Sequence, residues 1–496
     1  MPSFRDELEE FMKSMWWKIL GPVLLWVLIT AVPVPGGLTP AAWHYFALFA
    51  AVILALILEP IPAAAIGMIG IALAGAMRYV DPDPAKSISW ALAGFSDRTV
   101  WLIFGAFVFS IGYAKSGLGR RVALQLVRLL GRRTLGLGYA IMLADLVLAP
   151  GTPSNTARSG GTIFPVIQNI PGLYGSTPGP TARKIGSYIM WVAFATTCIT
   201  SSMFVTSLAP NAAALAIVKQ TAKLDLTWTQ WFMGFLPVAV PLLLLLPLLV
   251  YWIYPPEIKA SEEVPAWAAK ELVNMGAVKI QEIVMALLVI CAVFLWIVGS
   301  NKGIRLPLVG ANFIDATGVV LLVIAGMIVF KVVEWDDILG NKGAWNVLVW
   351  FATLVALADG LNKVGFVTWV AKFVAAHLVG IGPITVLAIL VAFFFFIHYM
   401  FASLAAHTAA VLPVILASGM AIPGMPVKAF AMMLCFSLGI MGVITPYATG
   451  PAPVYYAGGF ISRKAFWSLG LVFGLIFIGA LLLIGIPYLT AISPVG

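Results

Sequence analysis

Apolar stretches long enough to span a bilayer follow one another along this chain of 496 residues. Two of them are interrupted by short polar strings, Ser154-Asn155-Thr156-Ala157-Arg158-Ser159-Gly160-Gly161 and Ser403-Leu404-Ala405-Ala406-His407-Thr408. In hydrocarbon every backbone polar group needs an internal partner, so such a chain folds as helices, with irregular backbone only against protein or a wet cavity. The two strings also share a register. Trp101 lies 53 residues before Ser154 and Trp350 lies 53 before Ser403, an offset of 249 residues that sets Arg158 opposite His407. Polar breaks at matching positions in two halves point to a transporter's substrate site.

Hydrophobic residues make up 61% of the chain and charged ones 10%, which excludes a soluble class. The net charge of +9 raises nucleic acid as a partner, but the bases flank apolar segments, and membrane orientation explains them without it. No cleavable signal peptide is predicted: the first apolar run, Ile19 to Val32, leads to Pro33-Val34-Pro35-Gly36-Gly37 without a small-residue cleavage site. Cys198, Cys291 and Cys435 lie in apolar runs without metal-like spacing and read as small packing residues. No cofactor and no metal site is predicted.

The fold class that follows is an all-α polytopic membrane protein with about eleven crossings. Spans are expected near 17–32, 43–58, 61–77, 100–114, 184–220 (broken at Thr206 to Asn211), 231–253, 280–298, 314–330, 345–358, 426–460 (broken at Ile444 to Pro451) and 466–489. Two pairs of arms too short to cross, at about 135–167 and 383–418, are expected to form re-entrant hairpins around the polar strings. Gly117 to Arg133 and Leu361 to Leu378 read as amphipathic stretches. Eleven crossings put the N-terminus in the cytoplasm with the five arginines of 117–133, as the positive-inside rule asks, and make the two repeats antiparallel. The expected organisation is scaffold helices at 1–99, a first repeat at 100–254, a cytoplasmic linker at 255–279, scaffold helices at 280–344 and a second repeat at 345–496.

Candidate site residues follow from this arrangement. Ser154, Asn155 and Thr156 bring hydroxyls, an amide and free N–H groups to the head of a half-helix, whose dipole favours an anion. The plainer alternative is that they cap it. An arginine at the depth of Arg158 costs at least roughly 2.5–3.5 kcal/mol on insertion scales and needs a function or a partner, the partner being Asp145 one hairpin arm away. His407 offers a hydrogen bond or a charge to a carboxylate from the second string, beside Ser403 and Thr408. His398, without a repeat counterpart, reads as structural or cavity-lining, and Glu59-Pro60 as a tight turn. The two broken spans add Ser207, Pro210 and Asn211, and Thr445, Pro446, Tyr447, Ala448 and Thr449.

The stretch Thr152 to Gly161, with Phe401-Ala402-Ser403 and His407-Thr408-Ala409, resembles the divalent anion/sodium symporter family. Within it, the chain is similar to the branch of 2-oxoglutarate/malate translocators and citrate/succinate or tartrate/succinate antiporters. That resemblance implies a homodimer in a bacterial inner membrane, with a scaffold and a transport domain that moves like an elevator. It also implies small dicarboxylate anions as substrates. Sodium-coupled members carry Ser-Asn-Thr in both hairpins, whereas here the second reads Ser403-Leu404-Ala405. Leu404 and Ala405 offer no side-chain oxygen to a hard cation. A fixed charge on Arg158, shared with His407, would travel uncompensated in an empty carrier, so the expectation is sodium-independent obligatory exchange. The alternative is a sodium-coupled di- or tricarboxylate symporter. A membrane hydrolase using Ser154 or Ser403 with His407 lacks a nucleophile-elbow motif, and the chain is not expected to be an enzyme.

Overall fold

The structure, a computed structural model, describes residues 4–299, 313–377 and 381–492. Every regular element among them is helical. Eight helices are long and apolar enough to cross a membrane: Pro40–Leu58, Arg98–Ser116, Thr134–Gly151, Trp228–Ile253, Ile280–Gly299, Lys342–Lys363, Pro383–Met400 and Arg463–Ile492. Trp16–Ala31, Ala63–Met77, Ala316–Val329, Leu404–Met420 and Val427–Val443 are shorter apolar helices. Most expected spans lie within a residue or a few of these, because the hydrophobic runs end at capping residues. Thr39 caps Pro40–Leu58, Asp97 caps Arg98–Ser116, and Thr227 with Gln230 forms a capping box at the head of Trp228–Ile253.

Some expectations needed correction: the first arms around the two polar strings, Thr134–Gly151 and Pro383–Met400, were expected to be too short to cross and are among the eight long enough, because each helix runs on to the turn itself. The amphipathic N-terminus and the first span form one continuous helix, Phe4–Ala31. The short helices Pro84–Leu92 and Trp335–Gly340 were not expected, being too short for a hydrophobic period to register. Cys198 and Cys435 are buried as expected of packing residues, but Cys291 is exposed on the outer side of Ile280–Gly299. The amphipathic stretches are the helices Leu118–Leu130 and Phe366–His377.

Two sets of helices pack most closely within themselves. In one, Lys342–Lys363 packs on Ala63–Met77 and Arg98–Ser116, which also packs on Ala316–Val329. In the other, Gly186–Met203, every residue of which is buried, packs on Thr134–Leu148, Trp228–Ile253 and Val427–Ile440. The linker straps the second set. Thr134 N donates to the Lys259 carbonyl (3.1 Å), Ser261 N to Arg132 (3.0 Å) and Ile258 N to Lys184 (2.8 Å). The linker helix Glu263–Asn274 lies along Leu118–Leu130, joined by Arg120–Glu271 at 2.8 Å, and Arg121 of that amphipathic helix pairs with Glu282.

Candidate substrate site

Each polar string turns the chain between two helical arms. Thr134–Leu148 runs through a tight turn at 149–151 into Thr156–Ile163 and Phe164–Ile167. Pro383–Phe396 runs through Ile397–Met400 into Leu404–Met420. The returning arm of the second hairpin starts earlier than the sequence suggested, so His407 and Thr408 lie in its first turns. The 249-residue register reappears in the bonding. Ser154 Oγ accepts from Ala157 N at 3.2 Å, and Ser403 Oγ from Ala406 N at 3.3 Å. Arg158 N donates to the Ser154 carbonyl at 2.9 Å, and His407 N to the Ser403 carbonyl at 3.0 Å. Both serines therefore do cap their arms, and at 154 and 403 they remain partly exposed.

The broken helices supply the opposing wall. The first is Gly186–Met203, a short turn at 205–207 and Ala209–Ala222, with Pro210 in its opening turn. Asn211 Nδ2 closes this break by donating to the carbonyls of Ser201 (2.7 Å) and Phe204 (2.9 Å). Ser207 Oγ donates to the same two carbonyls. The second break separates Val427–Ile440 and Met441–Val443 from Pro451–Ala457. There Tyr447 N donates to Thr445 Oγ1 at 3.3 Å, and Tyr447 OH to the Tyr399 carbonyl at 3.1 Å. Pro446 is partly exposed and Tyr447 exposed, whereas Thr445, Ala448 and Thr449 are buried.

The two tips reach both breaks. Asn155 Nδ2 donates to Thr449 Oγ1 at 2.8 Å, and Ser159 pairs with the Tyr455 hydroxyl at 2.8 Å, tying the first tip to the second break. Thr206 Oγ1 donates to the Pro150 carbonyl, tying the first hairpin to the first break. Gly450 allows Thr156 to sit against it: a Cβ there would lie 1.8 Å from Thr156 Oγ1. The second hairpin meets the second break through His398, whose Nε2 lies 2.7 Å from the Ala448 carbonyl. Its returning arm packs along Ala209–Ala222 beyond the first break. All the candidate residues are thus gathered where four interrupted elements converge.

Arg158 is fully buried, and all five of its N–H groups are used inside the protein. Nε donates to Asp145 at 3.2 Å, and Nη1 to the carbonyls of Thr152 (2.8 Å) and Ser207 (2.9 Å). Nη2 lies 3.1–3.2 Å from the hydroxyls of Thr197, Thr200 and Ser201. The pair with Asp145, one of the two readings its depth allowed, is present, so the charge expected to stand uncompensated is balanced. Sequence reasoning missed the hydroxyl cluster. Its signal was the string Thr196-Thr197-Cys198-Ile199-Thr200-Ser201-Ser202 in an otherwise apolar helix.

His407 is equally buried but differently served. Its Nδ1 is 3.1 Å from Nδ1 of His398, the rings of Phe394 and Phe401 pack against it, and Nε2 has no hydrogen-bond partner. Thr408 Oγ1 donates back to the Leu404 carbonyl at 2.8 Å. His398 is therefore a direct partner of His407 and not a bystander on the same hairpin. A cavity of about 250 Å³ opens beside this tip, lined by Ser403, Ala405 and Ala406, by Ala209 of the first break, and by Glu59 and Trp350 of the facing helices. Glu59 lies in the left-handed region at φ 45°. No group of three or more metal-ligating side chains occurs among the described residues.

A family model for the sodium:sulfate symporter transmembrane region matches residues 13–493. The chain belongs to the divalent anion/sodium symporter family. As a member of that family it is a multi-pass membrane protein. It is 48% identical over 486 residues to the citrate/succinate antiporter of Escherichia coli K12, across 95% of this chain and 98% of that protein. To the L-tartrate/succinate antiporter of the same organism it is 42% identical over 490 residues, covering 96% and 98%. Two solved structures share the fold at low identity. The Alcanivorax borkumensis YdaH transporter has a TM-score of 0.58 at 15% identity, over 91% of this chain and all of that one. Neisseria gonorrhoeae MtrF has a TM-score of 0.58 at 12% identity, over 86% and 95%.

Proposed function

We propose that this chain is an obligatory, sodium-independent exchanger of C4 and C5 dicarboxylates, with succinate, malate, 2-oxoglutarate, tartrate and citrate as the substrate class. Its antiporter relatives support the exchange of such anions. The observation that carries the coupling mode is the cage around Arg158. Two backbone carbonyls, three hydroxyls and a carboxylate surround the guanidinium. Oxygens of these kinds hold hard cations. A charge that is part of the chain fills that cage and cannot leave with the substrate. In the second hairpin Leu404 and Ala405 offer no side-chain oxygen, and His407 takes the place of a cation. The cage thus argues against a bound sodium ion, while the obligatory part of the exchange rests on the antiporter relatives, since Asp145 already balances Arg158 in the empty carrier.

The substrate rests between the two tips, on the N–H groups heading the returning arms and on Ser154, Thr156 and Ser403. Arg158 shapes the first tip from behind, holding Thr152 and Ser207 in place. The hairpins are re-entrant. Without their two long arms, Thr134–Gly151 and Pro383–Met400, six long helices remain. Three of the shorter apolar helices and the two broken pairs bring the crossings to eleven, with the N-terminus in the cytoplasm of a bacterial cell and the repeats inverted. The hairpins and broken helices form a transport domain that moves against a homodimeric scaffold. The role is transport and not catalysis: both candidate serine hydroxyls accept from the backbone, and the His407 ring bonds to His398 and to neither serine hydroxyl.

Counterflow in proteoliposomes tests the reading. Labelled succinate should enter only vesicles preloaded with an unlabelled dicarboxylate, at the same rate with sodium or potassium outside. Uptake into empty vesicles driven by a sodium gradient would select the symporter instead.

A further inference from the structure

The bonding of the histidine pair dictates where its protons lie. A carbonyl only accepts, so His398 Nε2, 2.7 Å from the Ala448 oxygen, carries a hydrogen. In the neutral ring its Nδ1 is then a bare acceptor. His407 Nδ1, 3.1 Å away, must supply the hydrogen between them. That leaves His407 Nε2 as a lone pair, buried and without a protein partner. A neutral pair thus presents to a carboxylate an acceptor facing an acceptor, which is repulsive. One added proton changes this. Whichever ring holds the charge, the bridge keeps a single hydrogen and His407 Nε2 becomes an N–H donor of a pair that carries one positive charge.

We propose that the second hairpin binds its substrate carboxylate together with one proton, carried by the His398–His407 pair, and that His398 is the positioning residue that imposes this by fixing the tautomer of His407. The inference rests on the transport reading above and deepens it by naming the proton as a co-bound species. On binding, water or buffer gives one proton to the pair and His407 Nε2–H bonds the carboxylate. On release the proton returns to solvent. Exchange carries one proton each way and moves none net.

The elements around the pair offer no other partner for it. The helices packed on Leu404–Met420 bring Lys219, Lys372, Lys428, Cys435, Asp359, Lys363, His44, Tyr45 and, at a helix end, Glu59. The neighbouring break and turn bring Tyr447 and Tyr399, which are engaged with each other through a hydroxyl–carbonyl bond. Among the described residues none of these hydrogen-bonds or ion-pairs to either ring. Among the described residues, the only ionisable side chain that hydrogen-bonds to either histidine is the other.

Titration calorimetry of succinate binding to the full-length dimer, repeated in buffers of different ionisation enthalpy at about pH 8, counts the protons taken up. At that pH succinate is fully ionised, since carboxyl groups titrate near pH 4. About one proton per substrate is expected, with affinity falling about tenfold per pH unit above the titration of the pair. His407→Gln donates an amide N–H without a proton, so its count should fall to about zero. His398→Phe frees the tautomer of His407 and should cut the count to well below one. His398→Gln can accept from Nδ1–H and donate to Ala448, and should restore it. A purely structural His398 would lower affinity in the phenylalanine variant and leave the count at one, which overturns the proposal. So does wild-type binding with no proton uptake while counterflow proceeds. Wild-type protein that neither binds succinate nor shows counterflow overturns the transport reading and this inference with it.

Discussion

The two hairpin tips have the same backbone bonding and opposite side-chain logic. In each, a serine caps the returning arm and the residue four places on is basic, bonded through its N–H to the serine carbonyl. In the first tip that residue is an arginine with every donor used and its charge met by Asp145. In the second it is a histidine with one nitrogen bonded to another histidine and the other left open. A charge enclosed by a complete partner set is a structural part, unable to respond to a substrate. A ring with an open nitrogen is responsive, because its next proton or hydrogen bond has to come from outside the protein. The same backbone bonding thus carries one rigid tip and one adjustable tip.

The largest effect expected is at the rigid tip. Arg158→Met or Asp145→Leu leaves a buried ion without its partner, and each should cost about 3–5 kcal/mol of stability and abolish exchange. The double variant Arg158→Met/Asp145→Leu should recover a good part of the stability but not the exchange, because Thr152 and Ser207 lose their tie. Thermal unfolding in detergent beside counterflow checks both arms. A single variant that unfolds and exchanges like the wild type would place the charge balance elsewhere and erase the contrast between the tips.

Next is the close contact between Gly186–Met203 and Val427–Ile440. A Cβ on Gly439 would lie 2.4 Å from the backbone nitrogen of Ser202, where Ser202 Oγ also accepts from Ile440 N and donates to the Phe436 carbonyl. Gly439→Ala should cost about 1–3 kcal/mol by overpacking, read as a lower midpoint of thermal unfolding. An unchanged midpoint would mean the two helices pack less closely than the structure has them.

A smaller effect sharpens the link from the first tip to the second break. Asn155→Ala should cost about 0.5–1.5 kcal/mol by removing the bond to Thr449, and weaken half-saturation for succinate. Thr449→Ala added to it should contribute little more, since the two share one bond. Additive losses would show that each residue acts on its own. Smallest of all is the surface pair of Arg98 with Asp225, 3.4 Å apart and more than half exposed on both sides. Asp225→Asn should change stability by less than about 1 kcal/mol and leave exchange intact. An effect as large as that at Asp145 would mean that exposure does not separate the two kinds of pair.

Much of the architecture was legible in the sequence. The apolar runs set the helices, prolines at 210, 446 and 451 marked the breaks, and the strings at Ser154 and Ser403 marked the turns, because hydrocarbon tolerates unpaired backbone only at special places. The register between Ser154 and Ser403 was readable too, and the structure repeats it in a serine cap at each. For Arg158 the sequence offered two readings, a site residue or a partner of Asp145, and could not choose between them. Asp145 lies 13 residues earlier on a different arm, so only the folded hairpin brings the carboxylate to Nε, and only the rotation of Gly186–Met203 about its axis aims three hydroxyls at Nη2. His398 was expected to be structural or cavity-lining, but its partners were not readable for the same reason, since its tie to Ala448 spans 50 residues.

By itself, then, the sequence determined the solvent of this protein, its helices, the shared register of its two polar strings and the family to which it belongs, because these depend on hydrophobic period, chain breaks and register, all local to the chain. Only the tertiary structure decided which basic residue is neutralised and which is left open. Partner choice for a buried group depends on directions and distances between segments far apart in sequence, and a difference of a few ångströms separates an arginine sealed by Asp145 from a histidine still waiting for its last hydrogen bond.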